Sequence, residues 1–136
     1  MTTKLIIDLI KTIGRVGDNG ERFIELGLDI EDEFRYTHLV WSEERGLQVC
    51  RDKNKEVSYC SYRSCPYHIK EQIDEVVYDM YEHEASNFEV ETTYKSGCKR
   101  SVIITALTEE LMWEIYDKRF NASLIEDSVI VDSWGL

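Results

Sequence analysis

The stretch PYHIKEQIDEVVYDMYEHE, Pro66–Glu84, reads as one long helix set among strands, and that contrast decides the fold class. Ile69, Ile73, Val76, Val77 and Met80 recur at three- and four-residue spacing. At about 100° per residue they fill one arc of a helix. Ser64 stands where an N-cap belongs, and Pro66 suits the first turn. Glu71, Asp74, Glu75, Tyr78, Asp79 and Glu82 fall on the opposite arc. Like charges at these spacings destabilise an isolated helix by a few tenths of a kcal/mol per pair. Stability alone would not select this pattern.

Away from the helix the period changes to two. Toward the N-terminus, Phe34–Trp41 and Leu47–Arg51 flank a polar turn that ends in Gly46, and a further strand is predicted over about Glu56–Tyr62 beyond the Asp52–Lys55 turn. Before them, Ile24, Leu26, Leu28 and Ile30 alternate with Glu21, Glu25 and Asp29, which predicts a half-buried strand over Glu21–Ile30 with an acidic outer face. A short amphipathic helix opens the chain: Thr2 or Thr3 caps it, Ile6, Leu9, Ile10 and Ile13 form its apolar side, and Gly14 and Gly17 stop it.

Toward the C-terminus, Phe88–Tyr94 and Lys99–Thr105 form a hairpin around Lys95-Ser96-Gly97-Cys98. Thr108 caps a last helix carrying Leu111, Met112, Ile115, Tyr116 and Phe120. Val129–Val131 makes a final strand before a Trp134-Gly135-Leu136 tail. The expected architecture is α+β: an antiparallel sheet of about five to seven strands in hairpins, covered by two or three helices, in a single domain over residues 1–136.

Composition narrows the function. The chain has 136 residues, 43% of them hydrophobic, with eight Tyr, three Trp and four Phe, so it carries enough apolar surface to fold without a partner. The apolar stretch after Met1 is broken by Asp8 and Lys11, so neither a leader nor a membrane anchor is expected. The expected location is the cytoplasm, and Cys50, Cys60, Cys65 and Cys98 are expected as free thiols. Between Lys70 and Lys95 stand Glu71, Asp74, Glu75, Asp79, Glu82, Glu84, Glu89 and Glu91 with no Lys or Arg among them, against a formal net charge of −11. Such a surface repels nucleic acid and anionic lipid and attracts basic proteins.

Two sites compete on paper. Cys60-x4-Cys65-x2-His68, with Cys50 or Cys98 as a fourth ligand, has a spacing open to zinc but lacks a tight Cys-x2-Cys pair, so no metal and no cofactor is assigned. No glycine-rich phosphate loop, nucleophile elbow or HExxH helix is present, and no catalytic residue is assigned. The basic clusters at Arg51, Lys53 and Lys55 and at Lys95, Lys99 and Arg100 suit solubility at loop tips.

The remaining choice for Glu71, Asp74, Glu75, Asp79 and Glu82 lies between the wet face of an amphipathic helix and a docking surface for a basic protein, with Tyr78 adding contact area. Carboxylates four apart on a helix rise by about 6 Å, a scale similar to successive backbone phosphates, so the row can imitate a phosphate track. The reading is a small acidic binding or inhibitor protein, not an enzyme, whose partner is a basic surface such as that of a nuclease or another nucleic-acid-processing enzyme. Immunity, antirestriction and anti-defence proteins share that logic. The alternative is a zinc-stabilised or structural accessory domain, and after it a small enzyme.

Overall fold

The computed structural model describes residues 2–29 and 34–136. Helix α1 (Thr3–Ile13) starts where Thr2 Oγ1 accepts the Leu5 N–H at 3.3 Å. It stops at Gly14, whose N–H returns to the Ile10 carbonyl at 2.7 Å, so close that a Cβ at this position would run into that carbonyl.

Five strands follow as an antiparallel meander: β1 (Arg15–Val16), β2 (Arg22–Asp29), β3 (Arg35–Ser42), β4 (Gly46–Lys53) and β5 (Glu56–Ser61), paired in sequence order. The turns carry the chemistry that hairpins need. Asn54 and Lys55 both adopt positive φ (54° and 69°) between β4 and β5, and Gly46 (φ 71°) closes the β3–β4 turn. Within β2, Gly27 at φ 62° sits in a register shift between Glu25 and Leu28. The predicted strand at Glu21–Ile30 is thus β2, interrupted by a bulge; Ile30 lies outside the described residues.

Register sorts the two faces of this sheet. Ile24, Leu39, Val49 and Cys60 stand opposite one another across four strands, and α1 lies along β2 and β3 on that face, with Lys11 Nζ 4.3 Å from the Trp41 ring centroid. Ile6, Leu9, Ile10, Leu39 and Val49 are fully buried. Each such side chain contributes about 1.5–3 kcal/mol by leaving water.

A single 3-10 turn, Tyr62–Ser64, leads to α2 (Tyr67–Glu84). Ser64 closes that turn, and the Pro66 carbonyl accepts from both Ile69 and Lys70, so the helix begins one residue beyond the proline. Ile69, Ile73 and Val77 are its buried residues, with Val76 and Met80 half-buried.

The chain then builds β6 (Ser86–Tyr94), β7 (Lys99–Ala106), α3 (Glu109–Arg119) and β8 (Ile125–Gly135). The three strands form a second antiparallel sheet in the order β7-β6-β8. Phe88, Val90, Ile104, Ala106, Met112 and Tyr116 make its core, and Thr108 caps α3 through the Leu111 N–H at 3.2 Å. Val129–Val131 is the middle of an eleven-residue strand that includes Trp134 and Gly135, which therefore do not form a tail.

The α+β class with hairpin-built antiparallel strands is the observed one. The strands are shared between two sheets, and the chain divides into two compact units, the first running to Met80 and the second from Tyr81 to Leu136. Among the described residues no helix is long and apolar enough to cross a membrane.

Candidate functional site

Helix α2 presents most of the predicted carboxylate row to solvent. Glu71, Glu75, Asp79 and Glu82 are exposed, and Tyr78, within the same arc, is 51% exposed. None of these four carboxylates has an ion-pair partner among the described residues. Acidic groups elsewhere do: Asp8 with Lys4 at 3.1 Å, Asp29 with Arg35 at 2.6 Å and Glu91 with Lys99 at 3.8 Å.

Asp74 has a different role. It is half-buried, and its Oδ1 accepts the Tyr62 hydroxyl at 2.6 Å. Burial, followed by the bond to and charge of Asp74, pushes the Tyr62 hydroxyl well above its ordinary value, so Tyr62 remains the donor. Lys70 donates to the Arg63 carbonyl at 2.9 Å and sits 5.6 Å from the Tyr62 ring centroid. These contacts tie the start of α2 to the turn before it. Asp74 therefore anchors the helix, leaving Glu71, Glu75, Asp79 and Glu82 as the outward row.

The predicted acidic face of β2 is weaker than expected. Asp29 is neutralised by Arg35, and Glu21 turns back to accept the Asn19 N–H at 3.0 Å. Of Glu21, Glu25 and Asp29, Glu25 alone is exposed without a hydrogen bond or ion pair to another described residue.

The first sheet carries a second feature on the face opposite α1. A cleft of about 680 Å³ is lined by Phe23, His38, Arg45, Gln48, Cys50 and Tyr59, among others. His38, Cys50 and Tyr59 are register partners across β3, β4 and β5. The Thr37 hydroxyl donates to the Cys50 carbonyl at 3.3 Å, and His38 Nδ1 lies 3.0 Å from the same hydroxyl. The Tyr59 hydroxyl is held above its ordinary value, first by the charge Cys50 takes on when ionised and then by partial burial.

The sequence supplied these residue types but no spacing that joins them. They meet only through strand register, for which the alternation of β3 and β4 was the one available signal.

The cysteines separate into different environments. Cys60 and Cys65 lie with their sulfurs 3.4 Å apart, Cys50 is buried on the cleft side, and Cys98 is exposed in the β6–β7 turn. His68, the third member of the zinc spacing, is exposed. Among the described residues no three His, Cys, Asp or Glu side chains gather to hold a metal ion.

No family model matches this chain, and no curated protein or solved structure does.

Proposed function

We propose that this chain is an acidic binding protein that offers the outer face of α2 to a basic surface on another protein. The observation that carries this reading is the row Glu71, Glu75, Asp79 and Glu82, exposed, without counter-charges among the described residues, and set around the half-exposed Tyr78. Unpaired carboxylates cost the free protein their mutual repulsion, and a complementary cation from a partner relieves it. Tyr78 supplies a ring that loses water on contact, the usual anchor within a charged rim. A nuclease or other nucleic-acid-processing enzyme is the partner class with the matching cationic groove, and blocking that groove inhibits it without any reaction on this chain. The cytoplasm is the compartment proposed for this encounter.

The test is capture from nuclease-treated cell lysate at about 50 mM and about 300 mM salt, a range over which the Debye length falls from more than 10 Å to well below it. A stoichiometric basic protein held at the lower salt and released at the higher supports the reading. Capture that is indifferent to salt, or of acidic proteins alone, contradicts it.

A second reading rests on the cleft. Phe23 and Tyr59 supply aromatic rings, His38 an imidazole and Gln48 an amide, a set suited to a neutral nitrogen heterocycle. Titrating nucleosides and simple heterocyclic amines while following the His38 ring resonances tests it. Saturable shifts that disappear in Tyr59→Ala support binding, and unshifted resonances at millimolar ligand exclude it.

A further inference from the structure

Cys60 is the penultimate residue of β5, on the face that carries α1, and Cys65 directly follows the 3-10 turn that leads toward α2. Their sulfurs stand 3.4 Å apart. A disulfide bond is about 2.05 Å long, so bonding requires the sulfurs to approach by about 1.4 Å. We infer that Cys60 and Cys65 form a dithiol site that closes reversibly to an intrachain disulfide by exchange with a low-molecular-weight disulfide.

Access and charge assign each sulfur a part. Cys60 is half-buried and reachable, whereas Cys65 is 6% exposed. Burial, then the hydrogen bond and charge of Cys60, push the Cys65 thiol up to about 12, while Arg51 and Lys70 pull the other way. Cys65 thus holds its proton more tightly, and the two cations favour negative charge at the pair, between whose sulfurs either thiol can donate.

The Cys60 thiolate attacks one sulfur of the small disulfide, forming a mixed disulfide and expelling the first thiolate. Cys65 then gives its proton to solvent and attacks the Cys60 sulfur, expelling the second. The two protein thiols lose two electrons and two protons, and the small disulfide is reduced to two thiols. Excess thiol reverses both steps.

The bond would close a short ring around Tyr62, the residue that holds Asp74 and lies beneath Lys70. Oxidation therefore pins the entrance of α2 to β5. Cys50 and Cys98 lack this geometry: neither lies within bonding distance of another cysteine among the described residues. This inference does not depend on what α2 binds.

The test uses folded, reduced protein with Cys98→Ser, which removes the exposed thiol. The protein is equilibrated against a series of glutathione to glutathione-disulfide ratios, quenched by alkylation, and read by intact mass and peptide mapping. The expected product has lost two hydrogens and is linked between Cys60 and Cys65, without a lasting glutathione adduct. In urea the same link should need a ratio about tenfold more oxidising, because the fold supplies the proximity.

Cys65→Ser in the same background should stop at the mixed disulfide and accumulate glutathione on Cys60. If that variant does not fold, the Cys98→Ser protein decides alone. Free thiols at both positions under oxidising ratios, a stable adduct in place of the link, or equal closure in folded and urea-unfolded chains would each overturn the inference.

Discussion

Tyr116 places its hydroxyl 2.6 Å from both Thr92 Oγ1 and Ser128 Oγ, joining α3 to β6 and β8 inside the second core, where Thr92 is 1% exposed. Tyr116→Phe leaves the buried Thr92 hydroxyl without that bond and should cost about 1–3 kcal/mol in urea unfolding. Adding Thr92→Val removes the orphaned group and should recover part of the loss; a double variant no better than the single would contradict this account. Cys65 gives a prediction in pH. Its folded pKa, about 12, lies above the ordinary value of 9.0, so the folded chain holds the proton that the unfolded chain releases. Its contribution to stability is complete below pH 9.0 and is lost as pH rises toward 12. The melting temperature should fall on that alkaline limb, and Cys65→Ala should fall less steeply over the same pH range. At this scale the sequence was partly legible. Thr2 and Thr108 cap where their types and positions predict, because capping is local chemistry. Asp74 looked like one more surface carboxylate because its partner, Tyr62, reaches it from outside the helix, and no periodicity within the helix records that bond.

Helix α2 was legible because its apolar period is regular, and Ile69, Ile73 and Val77 are buried as that period requires. Ile73→Ala should cost about 2–5 kcal/mol, as a fully buried branched side chain does, whereas Glu75→Ala should change stability by no more than about 0.5 kcal/mol. Urea midpoints at equal slope check both, and a comparable loss in the two variants would refute the division of faces. Strands with weak side-chain patterns were harder to read. β8 runs the full Ile125–Gly135, yet Glu126, Asp127, Asp132 and Ser133 interrupt its apolar alternation. Its pairing with β6 is made by the backbone, which the side-chain pattern of an exposed edge does not report. β1, two residues long, leaves no period at all. The His38, Cys50 and Tyr59 row had the same difficulty, since a slip of one residue in either pairing would send the side chains to opposite faces.

For the whole molecule, α+β was readable from one long helical period among alternating segments, but the division of strands into a meander of five and a sheet of three was not. Which hairpins share a sheet depends on contacts far apart in sequence, which local patterns do not encode. Charge is the property of the whole chain that sequence states directly, and its net value of −11 must be separated from its placement on α2. Total charge alone would attract any basic partner to any part of the surface, with the same sensitivity to salt. The decisive measurement is the affinity of the captured partner for two charge-reversal variants: Glu75→Lys with Asp79→Lys on α2, and Glu43→Lys with Glu44→Lys at the exposed tip of the β3–β4 hairpin. Both change net charge equally, and unchanged circular dichroism and melting would show that both are folded. If α2 is the docking face, the helix variant should bind at least about tenfold more weakly and the hairpin variant within about threefold of the unaltered chain. Equal losses in the two would reduce the interaction to net charge, and full affinity in the helix variant would place the contact elsewhere.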